Sequence, residues 1–497
     1  MVDLRMIPSG RNTNSVSGRR PPPVLSFGLK LARLWALPLL LRATVRTLLP
    51  WRMAPFVLDD DRQSSSETSS SSSTDASASN GRTDVKTTSP APTRAGLLQA
   101  AEADSAEDIS VALEWKLLFP LLAPGAQDPQ PGDGRRIVEA RCAEDERGCL
   151  EQAHDCVAQT IRDVGEEAVT MHSLRKQGVE EKEFWSSGWV VKKANSAVPL
   201  DDEKALRGYV WVPVEICSPK MRFGDARTRG RMRRVLDALN SSHRLAANCS
   251  CEVHIHLGRM DGRPWSLPTL QRLGSFLWAA EPTLRSIRDP NSPNFDNTYT
   301  WGFAMRQQSR LAQQLGDGVP PAVGELEAIV DEQILDVIQG NPAVPAREVA
   351  AFGEIWKAAS HLQLGQLLSG PEKMYRRLGF NFSAFGEEDE RARRNPRTME
   401  FRMMDGSVDT DLILGWLVIC GTIAETAVTR SDRRFAAALS VSLAQRLDTS
   451  ESRATKEEPG TGTLGDVRAR DFRDVMQLLG VQEQHWRGFE NKIRREH

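Results

Sequence analysis

Residues 251–258, CEVHIHLG, alternate apolar and polar side chains at every second position. A period of two is the mark of a β-strand with one buried and one polar face. Cys251, Val253, Ile255 and Leu257 take one side, and Glu252, His254 and His256 take the other. The chain has only 8 His, so a pair on one strand face narrows what that face can do. A merely solvated strand face is the plain alternative. It is the better reading of a lone histidine and the poorer one of a His pair beside a Glu.

Three further segments obey the same period. In SVALEWKLLFPLL (110–122), a strand expected to end at Pro120, Leu113, Trp115 and Leu117 oppose Ala112, Glu114 and Lys116. In GYVWVPVEICSP (208–219), Val210, Val212, Val214 and Ile216 oppose Glu215. In RTMEFRMMDGSVD (397–409), Met399, Phe401 and Met403 oppose Glu400 and Arg402. Each strand keeps an apolar side for a layer of helices. If the four share a sheet, Glu114, Glu215, His254, His256, Glu400 and Arg402 meet on its open face. Carboxylates gathered in one place repel unless a cation joins them. Oxygen-rich donors favour Mg2+ or Mn2+, and imidazole keeps Zn2+ open. Arg402 beside them is a planar fork suited to phosphate or carboxylate.

Helical periodicity fills the intervals: 136–165, a basic amphipathic stretch at 225–245, and SLPTLQRLGSFLWAAEPTLRSI (266–287), with Ser266 as cap and Pro268 in the first turn. Residues 322–370 read as helical, broken near GNPAVP. TDLILGWLVICGTIAETAV (410–428) is apolar, but Asp411 and Glu425 bound it well short of the roughly 20 apolar residues a bilayer span needs, so a buried core helix is expected and no integral membrane span. A last helix is expected over 471–495.

With 497 residues, 40% hydrophobic and 26% charged, the chain can build a sizeable core, and its net charge of −2 gives no electrostatic case for nucleic acid. Its 7 Cys include no CxxC pair, and Cys142, Cys149 and Cys156 read as small packing residues in a helix, so a reducing compartment is expected. That points to the cytoplasm. The arginine-bearing apolar stretch around Arg33, Arg42 and Arg46 suits a mitochondrial presequence, a surface-lying helix, or an extension with no address. The Ser/Thr tract from 61 to about 105 cannot bury enough surface to fold. The expected organisation is a disordered arm over 1–107, a catalytic domain over 108–430 and a helical extension over 431–497.

The order of these pieces resembles the amidoligase family of glutamine-synthetase-like carboxylate–amine ligases, many of them fungal. The resemblance rests on the first Glu strand, VPVEICSP, CEVHIHLG, LPTLQRLGSFLWAAEPTL, NFS (381–383) and RTMEFRMMDGSVD, over roughly 108–430. It implies an α+β fold: a curved, mainly antiparallel sheet with an open active-site face, backed by helices. It implies ATP and Mg2+ (or Mn2+), a small-molecule or peptide carboxylate phosphorylated to an acyl phosphate, and an amine that attacks it to form an amide. By position it implies metal ligation by Glu114, Glu215, His254 and Glu400, nucleotide contacts from Asn381 and Arg402, and catalytic roles for Arg402 and His256. Two residues depart from the family pattern. Ala112 stands where a first Glu is expected, and Glu252 where a small residue is expected, either filling the missing carboxylate's place or pointing away. The alternatives are a non-catalytic interaction protein on a degenerate ligase fold and a zinc hydrolase using His254 and His256.

Overall fold

The computed structural model describes residues 104–497, apart from 201–202, 205–207, 293–302, 316–322, 343, 372–375, 387–396, 430–431 and 446–462. The N-terminal arm expected over 1–107 therefore lies almost wholly outside the described residues, as do most of 289–300, expected as a substrate-facing loop of no legible specificity, and most of the charged loop expected over 448–465.

The fold is mixed α+β around one open, mostly antiparallel sheet. Its nine strands are β1 (Ile109–Leu122), β2 (Val138–Glu139), β3 (Ala168–Thr170), β4 (Trp189–Lys193), β5 (Tyr209–Cys217), β6 (Met221–Arg222), β7 (Glu252–Arg259), β8 (Phe380–Asn381) and β9 (Met399–Asp405). The sheet order is β3-β4-β5-β1-β7-β9-β8, with β2 and β6 paired to the ends of β1. Among the named strands of the described residues, only β3–β4 and β1–β2 run parallel. The four strands expected from the alternation lie side by side as β5, β1, β7 and β9.

The apolar face has the predicted phase. Ile109, Val111, Leu113, Trp115, Leu117, Phe119 and Leu121 of β1 are each at most 1% exposed, as are Val253, Ile255 and Leu257 of β7 and Met399 and Phe401 of β9. Each such aliphatic side chain contributes about 1.5–3 kcal/mol when fully buried. Behind this face lie α1 (Glu146–Asp163), α2 (Ala226–Ser242), α3 (Leu267–Arg285) and α5 (Thr410–Val428), with α4 (Ala346–Lys357) packed on α3. Ser266 does cap α3, accepting from the Thr269 N–H, with Pro268 in the first turn. Asp409 caps α5 by accepting from the N–H groups of Asp411 and Leu412. By length and composition α5 is apolar enough to cross a membrane, but 83% of that apolar window is buried inside the protein, as a core helix requires. Its C-terminal neighbours α6 (Arg433–Ala444), α7 (Leu464–Leu478) and α8 (Glu483–Glu496) pack against α3 and α5, and all described residues fall in one unit, Thr87–His497. All seven cysteines are free thiols.

Four local expectations need correction. β1 does not stop at Pro120 but runs to Leu122. The Leu118 N–H points away from β5, to the Ala246 carbonyl at 2.8 Å. By the strand period the Pro120 nitrogen points the same way, beyond the β7 pairing that ends at Trp115, so its missing N–H costs no bond of the β1–β7 ladder. The final helix is two, α7 and α8, because Gly480 adopts a left-handed φ of 77° between them. Cys251 leaves the β7 phase and packs with Leu118, Ala194 and Ala197 in a small separate cluster. That cluster covers one end of the polar face, which is therefore open only in part. Finally, β9 carries a bulge. Val253 pairs with Met404 and Ile255 with Phe401, so Arg402 and Met403 together oppose His254.

Candidate functional site

The register of the sheet builds the polar face. Across β1 and β7, Ala112 opposes His256, Glu114 opposes His254, and Trp115 pairs with Val253, which sets Lys116 opposite Glu252. Across β1 and β5, Lys116 opposes Glu215 and Glu114 opposes Cys217. Lys192 of β4 opposes Glu215, and Glu400 of β9 opposes His256. The phase of four short strands thus gathers Glu114, Glu215, His254, His256, Glu400 and Arg402, as the alternation predicts. Ala112 faces His256 on the same side, with no carboxylate of its own.

Two zones differ in exposure and partners. In the outer one, His256 Nε2 is 3.2 Å from Glu114 Oε2 and 3.5 Å from Glu400 Oε1. These groups, one atom each from Glu114, His256 and Glu400, lie close enough together to hold one metal ion. His256 Nδ1 is 3.2 Å from Thr398 Oγ1, a hydroxyl that can accept from an Nδ1–H and so orient the ring when Nε2 holds an ion. Asn381 lies beside this group. It donates Nδ2–H to Glu400 Oε2 at 2.9 Å and so fixes that carboxylate. Glu400 Oε1 is 2.8 Å from Arg402 Nη2, yet it accepts no well-aligned hydrogen bond, and Arg402 Nε has no hydrogen-bond partner among the described residues. An unpartnered guanidinium N–H beside a carboxylate oxygen that is held only by ion pairs suits an anion next to a cation.

The inner zone is closed. His254 is fully buried, with Nδ1 2.9 Å from Glu114 Oε1 and 3.0 Å from Glu400 Oε1, and Nε2 2.9 Å from Glu252 Oε2. Burial and the cations Lys116 and Arg402 push its pKa down, but Glu114 and Glu252 outweigh them and lift it to about 10. In the ion-free protein His254 is then an imidazolium donating from both nitrogens. Lys116 Nζ lies 3.1 Å from Glu114, 3.5 Å from Glu252 and 4.0 Å from Glu215. Burial alone would lower its pKa, and the three carboxylates raise it. Glu114, Glu252 and Glu400 show the mirror image. Burial would raise each, but Lys116 and His254 for Glu114, His254 and Lys116 for Glu252, and Arg402 and the histidines for Glu400 hold all three below the usual carboxylate range. Glu114, Glu215, Glu252 and Glu400 thus face Lys116, Lys192, Arg402 and the His254 imidazolium, and Lys192 is shared with Glu181.

Glu252 points into the site, but it does not fill the place of the absent carboxylate at 112. It lies on the far side of His254, four residues along β7 from His256, and pairs with Lys116. Sequence reasoning missed Lys116 as a member of the site, although its phase was visible. It also missed Lys192 and Thr398. Lys192 Nζ is 3.1 Å from Glu215 and 2.8 Å from Glu181. The clue for it was WVVKK (189–193), whose apolar run hides the strand period.

A second group able to hold an ion comprises Glu114, Glu215 and Cys217. Burial drives the Cys217 thiol well above its ordinary pKa, so it is not a thiolate. Among the described residues neither group includes His254.

No curated protein and no solved structure gives a significant match to the chain. Over residues 149–316, which carry Glu215, His254 and His256 but neither Glu114 nor Glu400, the chain matches the family described as Putative amidoligase enzyme, in accord with the resemblance drawn from the strand motifs.

Proposed function

We propose that the polar face of this sheet is the active site of an ATP-dependent carboxylate–amine ligase. The observation that carries the reading is the convergence of Glu114 Oε2, His256 Nε2 and Glu400 Oε1 on one point, with Arg402 at its edge. Two carboxylates and one imidazole suit Mg2+ or Mn2+, and such an ion would neutralise charge on the nucleotide's phosphates. Around it, the chain's own residues bind and orient. Arg402 keeps one arm on Glu400 and offers its remaining N–H groups to the phosphoryl oxygens, where charge develops during transfer. Asn381 and Thr398 hold Glu400 and His256 in place.

The reaction balances as two displacements. An acceptor carboxylate oxygen attacks the γ-phosphorus and ADP leaves. The amine nitrogen then attacks the acyl carbon, phosphate leaves, and the amine loses a proton. Acid and amine are small molecules or peptide groups.

Thermal melting tests the reading. Ligand confined to the native state adds RT ln(1 + [L]/Kd), about 2.7 kcal/mol at a hundredfold excess over Kd. ATP with Mg2+ should raise the melting temperature more than either alone. A rise with Zn2+ alone would favour a hydrolase, and no rise with any of these at millimolar concentration would favour a non-catalytic interaction protein.

A further inference from the structure

We infer that Lys116 is a built-in cation that occupies the inner carboxylate group of this site, so that the protein takes one divalent ion and not two. The inference rests on the proposed metal site only for the identity of the first ion.

The geometry is that of a bound ion's replacement. Glu114, Glu215 and Glu252 come from three neighbouring strands, and their carboxylates surround one ammonium at 3.1, 4.0 and 3.5 Å. Glu114 and Glu215 belong to the second of the two groups whose atoms lie near enough to share an ion. That locus is bracketed by two lysines, Lys116 on Glu114 and Lys192 on the other oxygen of Glu215 at 3.1 Å. A divalent ion entering there would meet both ammoniums at close range, and like charges repel strongly where water is excluded. Glu252 completes the nest from the third strand, 2% exposed and shared between Lys116 and His254. The outer group differs in kind. Glu114 gives Oε1 to Lys116 but turns Oε2 to His256, no lysine touches Glu400 or His256 among the described residues, and His256 and Glu114 keep 22% and 16% of their side-chain surface exposed. An arriving ion can therefore reach the outer locus, while the inner one is already neutralised by the chain.

Replacing the ammonium should open the inner locus. Mn2+ bound to the full-length protein is counted by paramagnetic resonance for the wild type, Lys116→Met and Lys116→Arg. The expected counts are one, two and one, because arginine keeps the charge and methionine keeps only the bulk. A merely structural lysine would not change the count. Equal counts for wild type and Lys116→Met, or two ions in the wild type, overturn the inference. If Lys116→Met is unfolded in chelator, Mn2+ should refold it, and failure to do so also overturns the inference. A wild type that binds no ion while Lys116→Met binds one would refute the outer metal site and leave this inference standing.

Discussion

Replacing Phe401 by Ala should unfold much of the protein's margin of stability without touching a single polar group of the site. Phe401 lies between Glu400 and Arg402 but points to the opposite face, where it is 0% exposed. Its ring meets Phe380 edge-on at 5.5 Å and Trp416 at 6.3 Å between centroids. Truncating a buried Phe to Ala costs about 3–5 kcal/mol through lost transfer energy and the cavity left behind. Each edge-to-face pair adds about 0.5–1.5 kcal/mol beyond area, which places this site in the upper half of that range. The α5 helix carrying Trp416 is held by the core on several sides, so it cannot collapse into the gap. Urea unfolding followed by tryptophan fluorescence and far-ultraviolet circular dichroism measures the change as a lower midpoint at unchanged slope. A loss under about 1 kcal/mol would refute the phase of β9, and with it the claim that Glu400 and Arg402 share the other face.

Glu400→Gln should behave oppositely, keeping the native circular dichroism while losing the joint stabilisation by ATP and Mg2+, since a neutral amide lacks the charge a hard cation requires; retained stabilisation would remove Glu400 from the ligand set. Thr398→Val should weaken Mn2+ binding by roughly 10–100-fold, as the loss of a histidine's orienting partner does in metal sites, and titration calorimetry would read it. Acid should destabilise the protein well before its carboxylates titrate. Burial, aided by His172, lowers His154 to about 4, and burial, aided by Arg136, lowers His243 to about 4. Their unfolded forms take protons near pH ~6.5, so the stability held above that pH falls as pH drops toward 4, by up to about 3 kcal/mol each. A urea midpoint that stays level from pH 7.5 to 5 would contradict this. His254 has the reverse sign in the ion-free protein: its contribution is complete below about 6.5 and is lost as pH rises through about 10.

Much of the site was legible because alternation in a strand is a local property. Glu114, Glu215, His254, His256, Glu400 and Arg402 each declare a face within five or six residues of sequence, and the sheet only had to set the strands side by side. What was illegible depends on register. Nothing near Lys116 says that Glu252 lies across from it, since the two are brought together by the β1–β7 pairing. The bulge at Arg402 and Met403 exists only relative to β7. Lys192 sits on a five-residue strand whose apolar run, Trp189 to Val191, masks the period. Gly480 is a break signal, but the apolar periodicity resumes directly after it and masks the end of α7. The family match stops short of both β1 and β9, so their roles rest on geometry alone.

The most direct measurement is a crystal structure of the full chain with Mn2+ and a non-hydrolysable ATP analogue, located by anomalous scattering. The account predicts one manganese peak bounded by Glu114, His256 and Glu400, with the analogue's terminal phosphate against Arg402 and no second peak between Glu114 and Glu215. A nucleotide bound elsewhere, or no manganese on this face, would contradict it.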